Sequence, residues 1–203
     1  TVHGRPPAVA CEAGDEGRLL GEARLVVGAV RAALADEGTL FLADERAALA
    51  VPEMLRVLLD ERGLGWDEAW ARTRAATRCR FGCPKSEPRR PFWLVSFLER
   101  EHPRLLELVY EINRRHLDEV EAHWPGDGDR RRRLSLLREG EERRLRPGPL
   151  AVTGSAHADV ATPWAGPAAP TLADLAVLRG KALRSRPTPV SPRRWIVEGN
   201  PSL

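Results

Sequence analysis

Residues 103–124 read PRLLELVYEINRRHLDEVEAHW. Leu105, Leu108, Val109, Ile112, His116, Leu117 and Val120 recur at three- and four-residue steps, so they share one face of an α-helix. Glu111, Arg114, Arg115, Asp118 and Glu119 fall mostly on the other face. Pro103 suits a first helical turn, and Pro125-Gly126 ends the run. Burying each large apolar side chain is worth roughly 1.5–3 kcal/mol, so this stripe demands a substantial partner surface. His116, between Ile112 and Val120, reads as a core histidine rather than a ligand. Asp118 and Glu119 diverge on a helix and cannot act as the paired carboxylates of a glycosidase.

Upstream of this helix the chain supplies such surfaces. Residues 1–14 are rich in Pro, Gly and Ala and read as a loose lead-in. From Glu16, the positions Leu19, Leu20, Ala23, Val26, Val27, Val30 and Leu34 form a helical stripe that stops at Asp36-Glu37-Gly38. Thr39-Leu40-Phe41-Leu42 has the look of a buried strand of a parallel sheet, and Asp44 stands where that strand hands over to a helix. A carboxylate there serves as a helix cap or as a catalytic acid. Residues 45–62 and 66–77 are again helical in period, with Pro52 kinking the first or starting its second part. Residues 78–91, RCRFGCPKSEPRRP, show no period and read as an irregular loop.

Downstream, Asp127 can cap a basic helix running through Leu137. PLAVTGS, residues 149–155, is a second strand candidate with a turn at its carboxyl end, where open α/β sheets bind ligands. His157 lies just beyond it, lining a sugar pocket or lying in a plain loop. Thr171 caps a short helix to Arg179, and Ser191-Pro192 opens a last one. The fold class that follows is α/β, mainly helical with a few parallel strands.

Composition narrows the function classes. An apolar share of 42% with 30% charged residues is that of a folded soluble chain. No run approaches the roughly 20 apolar residues that span a bilayer, and no signal pattern opens the chain, which points to the cytoplasm and to no membrane partner. Cys11, Cys79 and Cys83 cannot all pair and fit a reducing compartment; no second Cys or His pair lies at zinc-finger spacing, so no metal is expected. Residues 130–133 are four consecutive arginines, with Arg138, Arg143, Arg144 and Arg146 following. Glu139, Glu141 and Glu142 stand beside them and no aromatics are interleaved, so the run reads as an ion-paired face rather than as a nucleic-acid site.

Three blocks go beyond generic patterning. They are residues 52–60 followed by Trp66-Asp67-Glu68-Ala69-Trp70; residues 110–120 with Pro125-Gly126-Asp127 and Arg132-Arg133-Leu134-Ser135-Leu136; and Ser191-Pro192-Arg193-Arg194-Trp195 with Asn200-Pro201. In order and spacing the chain resembles the α-glucan (glycogen, starch or maltodextrin) phosphorylases. The resemblance implies a Rossmann-like two-domain glycosyltransferase that moves a glucosyl unit from an α-1,4-glucan to inorganic phosphate, giving glucose 1-phosphate. It implies pyridoxal phosphate as cofactor, whose phosphate assists the substrate phosphate, and a homodimer for the full-length form. On that basis residues 15–187 correspond to the back part of the N-terminal domain, and residues 188–203 begin the connection to a cofactor domain. The cofactor lysine of the family has no counterpart in this stretch.

The same comparison marks departures. Ala43-Asp44-Glu45-Arg46-Ala47 replaces the family's Asn-Asp-Thr-His-Pro turn, keeping Asp44 and placing Arg46 at the histidine. The family's Gly-Ser-His-Ala appears as Gly154-Ser155-Ala156-His157-Ala158, and Thr188-Pro189 replaces an Asn-Gly whose Asn reaches the sugar. Asp44 and His157 are therefore the substrate-binding candidates, with no catalytic residue assigned, and the isolated chain is expected to be inactive. The alternative is a non-catalytic helical interaction module that offers its arginine-rich face to an acidic partner.

Overall fold

The computed structural model describes residues 9–42, 45–81, 93–160 and 169–180. Helix α1 (Val9–Ala35) buries Leu19, Ala23 and Val30 on one side, the stripe expected from sequence. It begins at Val9, inside the stretch read as a lead-in. It ends where expected: Glu37 adopts φ 50 and the Gly38 N–H donates to the Ala33 carbonyl at 2.8 Å, closing the last turn. Strand β1 (Leu40–Leu42) follows, with Leu40 and Leu42 inward and Phe41 outward.

A 3₁₀ turn (Glu45–Leu49) leads into α2 (Ala50–Arg56), which passes into a π-helical turn (Val57–Glu61). Pro52 thus falls in the first turn of α2, where a missing N–H costs nothing. Every residue from Ala50 to Leu55 is buried, because α1, α3 (Trp66–Ala76) and α5 (Pro103–His123) all pack on α2. Helix α5 buries the expected stripe together with Leu106, while Leu117 is only half-buried.

Three strands, β1, β2 (Thr77–Phe81) and β5 (His157–Val160), form one parallel sheet in that order. Its centre is β2 (Thr77–Phe81), which faces Leu40 with Thr77 and Leu42 with Cys79. This corrects the reading of residues 78–91 as an irregular loop: the strand's inward residues are Thr77 and Cys79, and the glycine and prolines just beyond hid so short an alternation. Residues 82–92 lie outside the described residues. The opposite edge is β5 (His157–Val160), with His157 beside Arg78 and Val160 beside Phe81.

The second strand candidate is not a strand. Residues 147–153 form helix α7 (Pro147–Thr153), and the extended segment starts only at His157. Pro147 begins the helix, and its turn packs on the 3₁₀ turn with Leu150, Ala151 and Val152 all buried. A short, wholly buried apolar run carries no period that separates helix from strand.

Between β2 and α7 lie α4 (Val95–Glu101), α5 and α6 (Gly128–Leu134). Asp127 caps α6 as expected, its Oδ1 accepting from the Arg130 N–H at 2.8 Å. The helix stops at Leu134 rather than Leu137, because Leu137 pairs with Leu145 in an antiparallel hairpin of β3 (Leu137–Arg138) and β4 (Arg144–Leu145). The Val95 N–H donates to the Arg143 carbonyl, and the Leu145 N–H to that of Trp93, which binds the hairpin to the start of α4. Helix α8 (Ala169–Leu178) closes the described structure against α6 and α7. The helix expected from Ser191 lies outside the described residues.

Candidate functional site

Parallel pairing makes β1, β2 and β5 run the same way, so their carboxyl ends, Leu42, Phe81 and Val160, share one edge of the sheet. In open α/β sheets that edge is where ligands bind. Asp44, two positions past β1 in the sequence, lies outside the described residues, as do residues 161–168 after β5. His157 is placed differently. It is the first residue of β5, solvent-exposed and paired with Arg78, so it stands at the amino end of the sheet. At about 3.3 Å per residue, a strand of this length puts it roughly 10 Å from the ligand-binding edge. The turn leading into it is fixed by the Ala156 N–H, which donates to the carbonyls of Arg74 (2.7 Å) and Thr77 (3.2 Å).

The arginine-rich run proves to be structural. Arg130 and Arg133 of α6 both donate to Asp174 Oδ2 of α8, at 3.3 and 2.6 Å, and Arg132 pairs with Asp129. Arg130 also lies over the Trp124 ring, 4.5 Å from its centroid. Arg143 and Arg144 pair with Glu139 and Glu142. Arg146 donates to the carbonyls of Arg133 and Ser135, and its burial lowers its pKa. Pairing of most of these cations within the fold leaves fewer free charges for a polyanion.

Charge is also spent inside the fold. Glu53 is buried in α2 and accepts two hydrogen bonds from Arg56, at 2.9 and 2.8 Å. Arg56 in turn bonds Glu61, which Arg31 of α1 reaches at 3.0 Å. One face of Trp66 is covered by the Arg115 guanidinium, 4.4 Å from the ring centroid. His116 is a core histidine as read from the sequence, and its Nε2 lies 3.1 Å from the Leu134 carbonyl. The sequence did not reveal its second partner, Arg179, which is far away in the chain and carries no local pattern.

Among the described residues no cluster of three or more His, Cys, Asp or Glu could hold a metal ion, and no helix is long and apolar enough to cross a membrane. Pyridoxal phosphate asks for a lysine and an anion cradle. The chain's two lysines, Lys85 and Lys181, both lie outside the described residues, and the buried guanidinium groups of Arg146 and Arg179 are committed to other partners. The described residues therefore do not fit that cofactor.

A parallel sheet, with helices filling the chain between its strands and a single edge carrying their ends, defines a protein of the α/β class. Residues 26–203 match the family model of the carbohydrate phosphorylases, and the chain belongs to that family. It is 33% identical to glycogen phosphorylase, brain form, of Rattus norvegicus over 180 residues, covering 83% of this chain and 20% of that protein. It is 38% identical to the muscle form of Oryctolagus cuniculus over 178 residues, covering 84% and 20%. With the muscle form of Homo sapiens the identity is 37% over 177 residues, again covering 84% and 20%. The chain thus spans about a fifth of the length of these curated relatives.

Proposed function

We propose that this chain serves glucan phosphorolysis, the transfer of a glucosyl unit from an α-1,4-glucan to inorganic phosphate with release of glucose 1-phosphate. The observation that carries the reading is the parallel order β1-β2-β5, whose strand ends share one edge behind which the family's helix blocks are packed. In this reading the described residues are the framework that holds the segments after Leu42, Phe81 and Val160. Asp44, from the segment after β1, is the proposed sugar contact at that edge, and His157, exposed at the start of β5, is proposed to meet the glucan at the opposite, amino end of the sheet. Pyridoxal phosphate, a cytoplasmic setting, a Rossmann-like two-domain form and a homodimer enter this reading through family membership.

Supplied alone, the 203-residue chain is expected to be inactive, since Arg46 replaces the family's sugar-contacting histidine and Thr188-Pro189 its Asn-Gly. Two measurements on the purified chain test the reading. Glycogen cast into a native gel is expected to retard it with little dependence on salt, and phosphate with maltoheptaose is expected to yield no glucose 1-phosphate. Formation of glucose 1-phosphate overturns the expected inactivity. Salt-sensitive retention on heparin without retention by glycogen overturns the glucan reading in favour of an acidic partner.

A further inference from the structure

A chain of three polar residues, with His116 buried, the Arg179 side chain nearly so and Glu119 exposed, joins α5 to the end of α8 and has no part in the proposed reaction. Nδ1 of His116 lies 3.0 Å from Nη2 of Arg179, and Nε2 of the same ring lies 3.1 Å from the Leu134 carbonyl oxygen. A guanidinium can only donate and a carbonyl can only accept, so both roles of the ring follow. Nδ1 is bare and accepts from Arg179; Nε2 carries the proton and donates to Leu134. The imidazole is therefore neutral. Arg179 turns its other nitrogen, Nη1, to Glu119 Oε2 at 2.5 Å, and its side chain is 5% exposed.

The charged groups around the ring come from several elements. Arg179 belongs to the end of α8, where its N–H still donates to the Leu175 carbonyl; Glu119 lies on α5; and Arg74 of α3 acts on Arg179 as a second positive charge. Asp174, one turn earlier on α8, is committed to Arg130 and Arg133 of α6. The groups acting on His116 are its own burial, the Arg179 charge and the Leu134 carbonyl, with no carboxylate among them. An imidazolium at this position faces a guanidinium across one hydrogen-bond length.

We propose that His116, Arg179 and Glu119 form a proton-operated latch: the neutral ring and Glu119 together hold Arg179, and with it the last turn of α8, against α5, and a proton on Nδ1 loosens that hold by leaving the exposed Glu119 to keep Arg179 without the ring. Protonation turns the acceptor into a donor, so the Arg179 bond is replaced by repulsion between two cations. The other tethers of α8 run from Asp174 to α6 and from Thr171 to Arg146, so a proton on the ring acts on the turn beyond Asp174. Burial lowers the His116 pKa to about 4, which keeps the latch shut at neutral pH.

The test uses the full 203-residue chain labelled with nitrogen-15. At neutral pH the His116 ring is expected to show a bare Nδ1 and a protonated Nε2. As the ring titrates, the protection of the amides at residues 175–180, taken relative to the intrinsic exchange rate at each pH, is expected to fall about tenfold or more, the loss of one hydrogen bond to a charged group, while residues 105–116 of α5 keep theirs. In Arg179→Met the same α8 amides show the lowered protection already at neutral pH, and it no longer changes with pH. A proton on Nδ1 at neutral pH overturns the latch, as does α8 protection that stays flat through the titration. So does simultaneous loosening of α5 and α8, which would make the acid response global unfolding. If Arg179→Met does not fold, the tautomer and the exchange profile of the unaltered chain still decide.

Discussion

A Cβ built on Gly154 would stand 2.3 Å from Cγ1 and 2.6 Å from Cγ2 of Val51, so the end of α7 touches α2 through a missing side chain. Its φ of −83 is open to any residue, which makes the requirement one of space and not of backbone conformation. Gly154→Ala should therefore cost about 1–3 kcal/mol, the usual toll of overpacking a core, read as a lower urea midpoint. Val51→Ala in the same chain should return part of it. From sequence Gly154 looked like a turn residue; no local pattern announces a neighbour that lies some hundred positions away. His116 makes the opposite case, since its place on the apolar face was plain and its chemistry was not. Burial and Arg179 lower its pKa from 6.5 to about 4, so between these values the unfolded chain binds a proton that the folded one does not. Stability from this residue is complete above about 6.5 and is lost as pH falls toward about 4. Urea melts across that window should show the decline, and His116→Leu should flatten it.

Helix ends were readable in part because capping is local. Asp36-Glu37-Gly38 marks the stop of α1, yet the left-handed residue is Glu37 rather than the glycine after it. Glu37→Gly should stabilise the chain by about 0.5–1 kcal/mol, the order of the strain on a side chain in that region. A higher thermal midpoint would show it. Asp127→Ala should cost about 1 kcal/mol by freeing the Arg130 N–H, measured in the same way; an unchanged midpoint would mean that solvent replaces the cap. Elements whose state depends on partners were misread. Helix α7 has the composition of a buried strand, and β2 is concealed by the glycine and prolines that follow it.

At the scale of the molecule, the basic run is the clearest example of a feature whose partners appear only on folding. In sequence it reads as an ion-paired face beside Glu139, Glu141 and Glu142, and the structure adds a distant carboxylate: Arg130 and Arg133 converge on Asp174 and fasten α8 to α6. Asp174→Asn should cost about 1.5 kcal/mol, the order of a hydrogen bond to a charged group, and it should lower stability without changing retention by glycogen; a urea melt and a glycogen gel on the same variant check both. Of the candidate site, Asp44 was placed by the sequence after a strand that does form, whereas His157 was assigned to a strand end and is found at a strand start. The sequence by itself determined the amphipathic helices, the first strand, the cap of α6 and the family, because periodicity, capping and a family's order of motifs are all written along the chain. Only the tertiary structure decided which strand is central, that residues 147–153 are helical, which arginines neutralise which carboxylates and what His116 faces. Those outcomes depend on groups distant in sequence, whose meeting is settled by packing and charge pairing and not by any local pattern.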